Sequence, residues 1–228
     1  MINNRRLQQG VFRCAFVLTI FGTVYGQLHA LARIAAHPQD LEYPLTRLWA
    51  VPAGRVLRPL FDWSDPYTVY VAYGRGWLPI FLSGVLCGIV AIHLRQPRGF
   101  ERIAWWLMVA SLGLLTLAVV GDYFTPWMDQ FFVATVVNAF LLMIGTTAVG
   151  VILIRTGFRP RGVGWLMVAV LPLAWLIVQI TSLGNAFLPI LWAIVLATRS
   201  LLRETTQLRN APAVPAGRPS VASGAPRR

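Results

Sequence analysis

Lysine is absent from this chain of 228 residues, so all 20 of its basic side chains are arginine. That absence excludes a phosphate-cradling G-x-x-x-x-G-K-[ST] loop, which needs a lysine to reach the terminal phosphate. The all-arginine usage reads as the codon bias of a high-GC bacterial genome. Cysteine is nearly absent too. Cys14 and Cys87 both fall in apolar segments with no C-x-x-C spacing, so a disulfide framework is excluded and both read as small buried hydrophobes. Histidine occurs only at positions 29, 37 and 93. Three such residues cannot place paired axial haem ligands on two helices at one depth, and no cofactor is assigned. His29 and His37 with Asp122 give only the outline of a metal site, and no metal is assigned. No G-x-S-x-G elbow, no aspartate-rich diphosphate motif and no helix of repeated carboxylates is present. "FLSGV" around Ser83 is a faint echo of an intramembrane serine protease, with His29 its only base at suitable depth.

Charge is scarce as well. Charged residues make up 12% of the chain, against about 25% in a soluble domain. Hydrophobic residues make up 57%, and the mean hydropathy is +0.62. The deficit lies in long apolar runs, several of which reach the roughly 20 residues a bilayer requires. The sequence therefore predicts an all-α, polytopic integral membrane bundle. The net charge of +12 does not point to nucleic acid, because the arginines sit at the ends of apolar segments.

Six spans are expected, at about 11–33, 68–94, 102–121, 131–154, 163–180 and 184–200. Ahead of the second, Asp65 can cap a helix whose first residue is Pro66. Gly74 and Gly76 then weaken that helix, and a break there is as well supported as a continuous run. Arginines crowd the N-terminus (Arg5, Arg6, Arg13), the 95–102 and 155–161 connections, and the segment after the sixth span. The 122–130 and 181–183 connections carry no arginine, and the 37–67 loop balances its arginines with acids. This bias predicts a plasma (inner) membrane location with both termini cytoplasmic. The first span has signal-peptide features, "NNRR" and "ALA" at 30–32. Arg13 interrupts its apolar core, however, and the polar stretch before the site is too long, so a retained span is expected.

The bundle is expected to occupy residues 1–204, followed at 205–228 by a disordered, cytoplasmic Pro/Ala/Arg-rich tail. The loop 37–67 is expected to lie on the outer surface as short interfacial pieces without a long helix, as an aromatic anchor or a lid. Residues 102–114 ("RIAWWLMVASLGL") and 161–173 ("RGVGWLMVAVLPL") share Arg, Trp, Leu, Met, Val, Ala, Leu and Leu in register. Both open spans running outward, as the halves of a duplicated hairpin would.

The polar residues inside the spans carry the functional information. On the first helix Gly22, Tyr25, Gly26, His29 and Arg33 fall within an arc of about 100°. The glycines there permit close helix approach. Tyr25, His29 and Arg33 should thus face the bundle in its outer half, where Asn138, Gln179, Asn185 and Ser83 also lie. Asp122 ends the third span, against the negative end of the helix dipole. It calls for a compensating partner, with Arg33 or His29 first and Arg75 next. Asp129 can cap the start of the fourth span.

Two readings of this cluster stay open: a structural polar network, or an outward-opening cavity lined by Tyr25, His29, Arg33, Asp122 and Asn138. The leading functional expectation is non-catalytic. The bundle would bind a membrane lipid or lipid-like ligand, or a partner subunit (another membrane protein or a second copy). The alternatives are an enzyme acting on a membrane-embedded substrate from the outer leaflet, and a small transporter. In the enzyme, His29 would be the acid/base, oriented by Asp122, and Arg33 would hold an anionic head group. The transporter reading rests on the hairpin repeat and on Pro172.

Overall fold

The computed structural model describes residues 4–210, and among these the chain is all-helical with no strand. Five helical stretches are long and apolar enough to cross a membrane: Arg5–Ala36, Pro66–Arg95, Gly99–Phe124, Gln130–Arg155 and Leu183–Gln207. A sixth is reached if the bent pair Arg161–Val168 and Val170–Ile180 forms one span. The six apolar segments of the sequence coincide with these stretches. In chain order the helices are α1 (Arg5–Ala36), α2 (Pro44–Val56), α3 (Pro66–Arg75), α4 (Trp77–Arg95), α5 (Gly99–Phe124), α6 (Met128–Arg155), α7 (Arg161–Val168), α8 (Val170–Ile180), α9 (Leu183–Ala186) and α10 (Leu188–Asn210).

Three of the apolar stretches are broken, each just before a proline. Proline has no N–H to give the carbonyl four residues back, and its ring collides with that carbonyl. Pro79 acts on Arg75, and α3 gives way to α4 at Gly76. Pro172 acts on Val168, the last residue of α7, and α8 leaves at 58°. Pro189 acts on Asn185, and the short α9 ends at Ala186. Asp65 does cap α3, accepting from the Thr68 amide at 3.0 Å. Hydrogen bonds from Thr68 hold its carboxyl below the usual carboxylate range.

Helix α10 is the most buried of the long stretches and α1 the least. The glycine face of α1 makes the close contacts. A side chain at Gly22 would press on Ile80, and one at Gly26 would run into Asn185 and Trp77. On the other side of α1, Val17, Phe21 and Val24 remain exposed.

The matched segments 102–114 and 161–173 differ in backbone, since the first lies inside unbroken α5 and the second spans the α7–α8 bend. Their packing is nonetheless alike. Met108 and Met167 are fully buried, against Gly145 and Gly150 of α6 respectively, and Trp106 and Trp165 are both exposed.

Three expectations outside the bundle core change. Residues 44–56 form a regular helix of 13 residues, longer than the proline-rich composition suggested. Its anchor is tertiary: Thr46 Oγ1 and Trp49 Nε1 donate to the Ile180 carbonyl at 3.0 and 2.6 Å. They thereby satisfy an orphan acceptor at the end of α8. Asp129 does not precede the fourth long helix but falls in its first turn, Trp127 being the cap residue. Helix α10 runs to Asn210, past the expected boundary at 204, and residues 211–228 of the expected tail lie outside the described residues.

At the end of the bundle where α4 meets α5, Arg95 ties three elements together. Its Nε pairs with Glu101 at 2.9 Å, its Nη2 donates to Thr156 at 3.1 Å, and its guanidinium lies 5.9 Å from the Phe158 ring. Gly157, with φ +69°, closes α6 there: its own N–H donates to the Ile154 carbonyl, and that of Phe158 to the Leu153 carbonyl.

Candidate ligand-binding cavity

At the opposite end, the breaks at Gly76 and at 181–187 open a cavity of about 230 Å³. Helix α1 contributes His29 and Arg33, one turn apart, with His37 just past its end. Tyr70 comes from α3, Trp77 and Phe81 from α4, and Asp122 and Tyr123 from the end of α5. Phe132 and Thr135 of α6 and Ser182, Gly184 and Phe187 close the remaining side. The lining is graded. Phe81, Leu115, Val119 and Phe187 are fully buried and apolar, whereas Arg33 and His37 are partly exposed and Gln39 is open to the surface.

Aromatic rings build the walls. The His29 ring lies 5.2 Å from Tyr70, tilted on its face, and meets Trp77 and Tyr123 edge-on at 5.9 and 5.7 Å. Its Nε2 is 3.1 Å from the Tyr123 hydroxyl, which is 3.3 Å from that of Tyr70. A chain of hydrogen bonds thus joins α1, α5 and α3. Gly74 permits it, because a side chain there would strike the Tyr123 ring.

The structure brings His29, Arg33 and Asp122 to this one cavity and places Tyr25 and Asn138 elsewhere. The Tyr25 hydroxyl donates to the Tyr73 carbonyl at 2.6 Å and its ring packs on Gly76, fastening α1 to the α3–α4 break. Asn138 Nδ2 donates to the Ser111 carbonyl at 2.6 Å, between α5 and α6. Ser83 donates to the Ile80 carbonyl of its own helix and does not line the cavity. Asn185 bonds Gln27 at 3.4 Å on the far side of α9. Of the 37–67 loop only His37 and Gln39 reach the rim, so α2 does not cover the cavity.

The expected partners of Asp122 are all engaged otherwise. Arg33 Nε lies 3.0 Å from Asp40, too poorly aligned for a hydrogen bond. His29 meets Tyr123 rather than Asp122. Arg75, the third candidate, donates to the Tyr123 carbonyl at 3.1 Å and stacks on Phe124. It therefore offsets the dipole at the end of α5 without touching the carboxylate. Thr135 interacts with Asp122 from α6, but Asp122 Oδ1 has no partner.

Unpartnered atoms converge here. Among the described residues nine buried side-chain nitrogen or oxygen atoms lack a hydrogen bond, and five belong to residues of this cavity: His29 Nδ1, Trp77 Nε1, Asp122 Oδ1, Ser182 Oγ, and Arg33 Nε, which has only its ion pair with Asp40. An unpaired buried polar group costs on the order of 1–3 kcal/mol, so residues of this kind gathered round one cavity call for an explanation. Sequence reasoning missed Tyr70, Trp77, Tyr123 and Ser182. Tyr70 and Trp77 are two turns apart in sequence, and Tyr123 adjoins Asp122, which was the available signal. Ser182 gave none, since its position depends on the break before Pro189.

Nucleophilic chemistry finds little support in this arrangement. No hydrogen bond links Ser182 to His29 or His29 to Asp122. Cys87 lies outside the cavity, 3.3 Å from Thr198 Oγ1. Among the described residues no three His, Cys, Asp or Glu side chains come together as a metal site. Compared with models of known families, with curated proteins and with solved structures, the chain matches none.

Proposed function

We propose that this protein is a six-span component of a plasma membrane, with both termini cytoplasmic, that binds an amphipathic membrane ligand in the outer-half cavity without transforming it. Orientation is supported by the grouping of arginines. Arg13 with Arg199 and Arg203 line one cleft, and Arg95, Arg159, Arg161 and Arg203 another, so all the arginine-rich segments meet at one end of the bundle. Such segments are retained on the cytoplasmic side, which turns the cavity outward. The bent α7–α8 pair is the sixth crossing in this reading.

The observation that carries the ligand reading is an aromatic cavity with an apolar floor and a charged rim, lined by residues whose buried polar atoms lack hydrogen bonds. That gradient suits a molecule with an apolar end inside and a polar end outward. An enzyme has less in its favour, because the expected His29–Asp122 pair is not formed.

Native mass spectrometry of the protein gently extracted from its membrane tests this. The wild type is expected to retain one small molecule per chain, and Val119→Phe, which fills the apolar floor, should lose it while the fold persists. A wild-type chain that emerges bare refutes the reading. A stoichiometric polypeptide in place of a small molecule also refutes it and makes the partner subunit the route to function.

A further inference from the structure

Asp122 poses the sharpest question in the molecule. Its carboxyl is buried to 9% exposure, one oxygen has no partner, and each cation within reach of its helix end is engaged by another group. A carboxylate withdrawn from water is costly unless a cation or several donors face it. Tyr70, Tyr123, Trp77 and Phe132 line the same cavity, and aromatic rings attract an organic cation through their negative faces. Arg33 lies at the wider, more exposed side. It lines the same cavity as Asp122, Tyr70 and Tyr123. The cavity therefore carries a carboxylate and aromatic box within, and a guanidinium toward the rim.

We infer that the ligand is an amphiphile bearing an ammonium group, which sits against Asp122 within the Tyr70–Tyr123–Trp77 rings. This rests on the ligand-binding reading above and names the chemistry of that same site. A primary ammonium in the cavity sets a positive charge beside the Asp122 carboxyl, and the carbon chain of a free amine fits the apolar floor of Phe81, Leu115, Val119 and Phe187. Two sources share this chemistry: a free lipophilic amine, and the head group of an ethanolamine phospholipid, whose phosphate would face Arg33 and whose acyl chains would lie outside the cavity.

The test uses the full chain in dodecyl maltoside, titrated separately with dodecylamine and dodecanol and read by native mass spectrometry. The wild type is expected to bind the amine at least about tenfold tighter than the alcohol, because the alcohol can donate to the carboxylate but brings no counter-charge. Asp122→Asn should bring the ratio near one while leaving the melting temperature of the free protein unlowered. Equal binding of amine and alcohol by the wild type overturns the ammonium assignment yet leaves an amphiphile site standing. Binding of neither probe, with no small molecule retained from the native membrane, overturns the ligand reading as well. The source follows from extraction out of equimolar phosphatidylethanolamine and phosphatidylglycerol vesicles. One ethanolamine lipid retained per chain assigns the lipid head group, whereas amine binding with neither lipid retained assigns a free amine. Retention of phosphatidylglycerol in preference overturns the proposal.

Discussion

The two ends of the bundle handle polar groups in opposite ways. At the arginine end the partly buried Arg95 finds a carboxylate, a hydroxyl and an aromatic face, and the end of α6 is closed by a glycine turn. At the cavity end a carboxylate, an imidazole nitrogen, an indole N–H and a serine hydroxyl are buried with partners missing. Both ends draw on carboxylate, hydroxyl and aromatic side chains. The first end is built as a closed joint and the second as an incomplete one, and that incompleteness is what the ligand-binding proposal rests on.

The comparison can be broken most severely at the joint between α1, α4 and α9. A side chain at Gly26 would collide with Asn185 and Trp77, so Gly26→Leu must push α1 off the bundle. Overpacking of this kind costs about 3 kcal/mol or more, and most of the protein should be lost from the membrane or melt well below the wild type. Survival with unchanged melting would mean that α1 does not pack as described.

A smaller loss is expected at the arginine end. Arg95→Ala strands Glu101 and removes the bond to Thr156; with both partners about a fifth exposed, the cost is about 2 kcal/mol. Glu101→Gln should cost less, and the double variant less than the sum, as a coupled pair requires. Strict additivity in thermal melts would remove the closed joint from the comparison. Smaller again is Trp49→Phe, which deletes the 2.6 Å bond to the Ile180 carbonyl. A loss of about 1 kcal/mol is expected, with faster hydrogen exchange confined to α2 and its neighbours on α8. An unaltered exchange pattern there would show that α2 is held by the membrane surface and not by α8.

What was legible in the sequence followed from local rules. Apolar run length located the long helices, and Gly22 and Gly26 marked the close face of α1. Asp65–Pro66 marked the start of α3, and the glycines before Trp77 marked a possible break. The site was half legible. His29 and Arg33 share a helix face and Asp122 stands against a dipole, so periodicity and electrostatics find them. Tyr25 and Asn138 satisfy the same rules yet serve packing, because depth and face do not say whether a backbone carbonyl will be waiting. Tyr73 O and Ser111 O take these two side chains, and neither contact has any signature in spacing. The pairing of Arg33 with Asp40 was hidden for a related reason: the turn at 38–42 folds back on α1, which a proline-rich loop does not announce.

The smallest expected effect carries the opposite sign. Where polar groups are matched, removing one destabilises; where a buried carboxyl is unmatched, removing it should relieve the fold. Asp122→Leu replaces the group by an apolar side chain of similar size, next to Val119 and Leu115 on the cavity wall. The free protein is expected to gain about 1 kcal/mol, the usual return for eliminating an unsatisfied buried polar group, seen as a modest rise in melting temperature in detergent. The same variant should lose the ammonium selectivity proposed for the wild type, so that stability and binding move in opposite directions. A fall in melting temperature comparable to that of Arg95→Ala would instead place Asp122 in a matched network, and the two ends of the bundle would then be built alike.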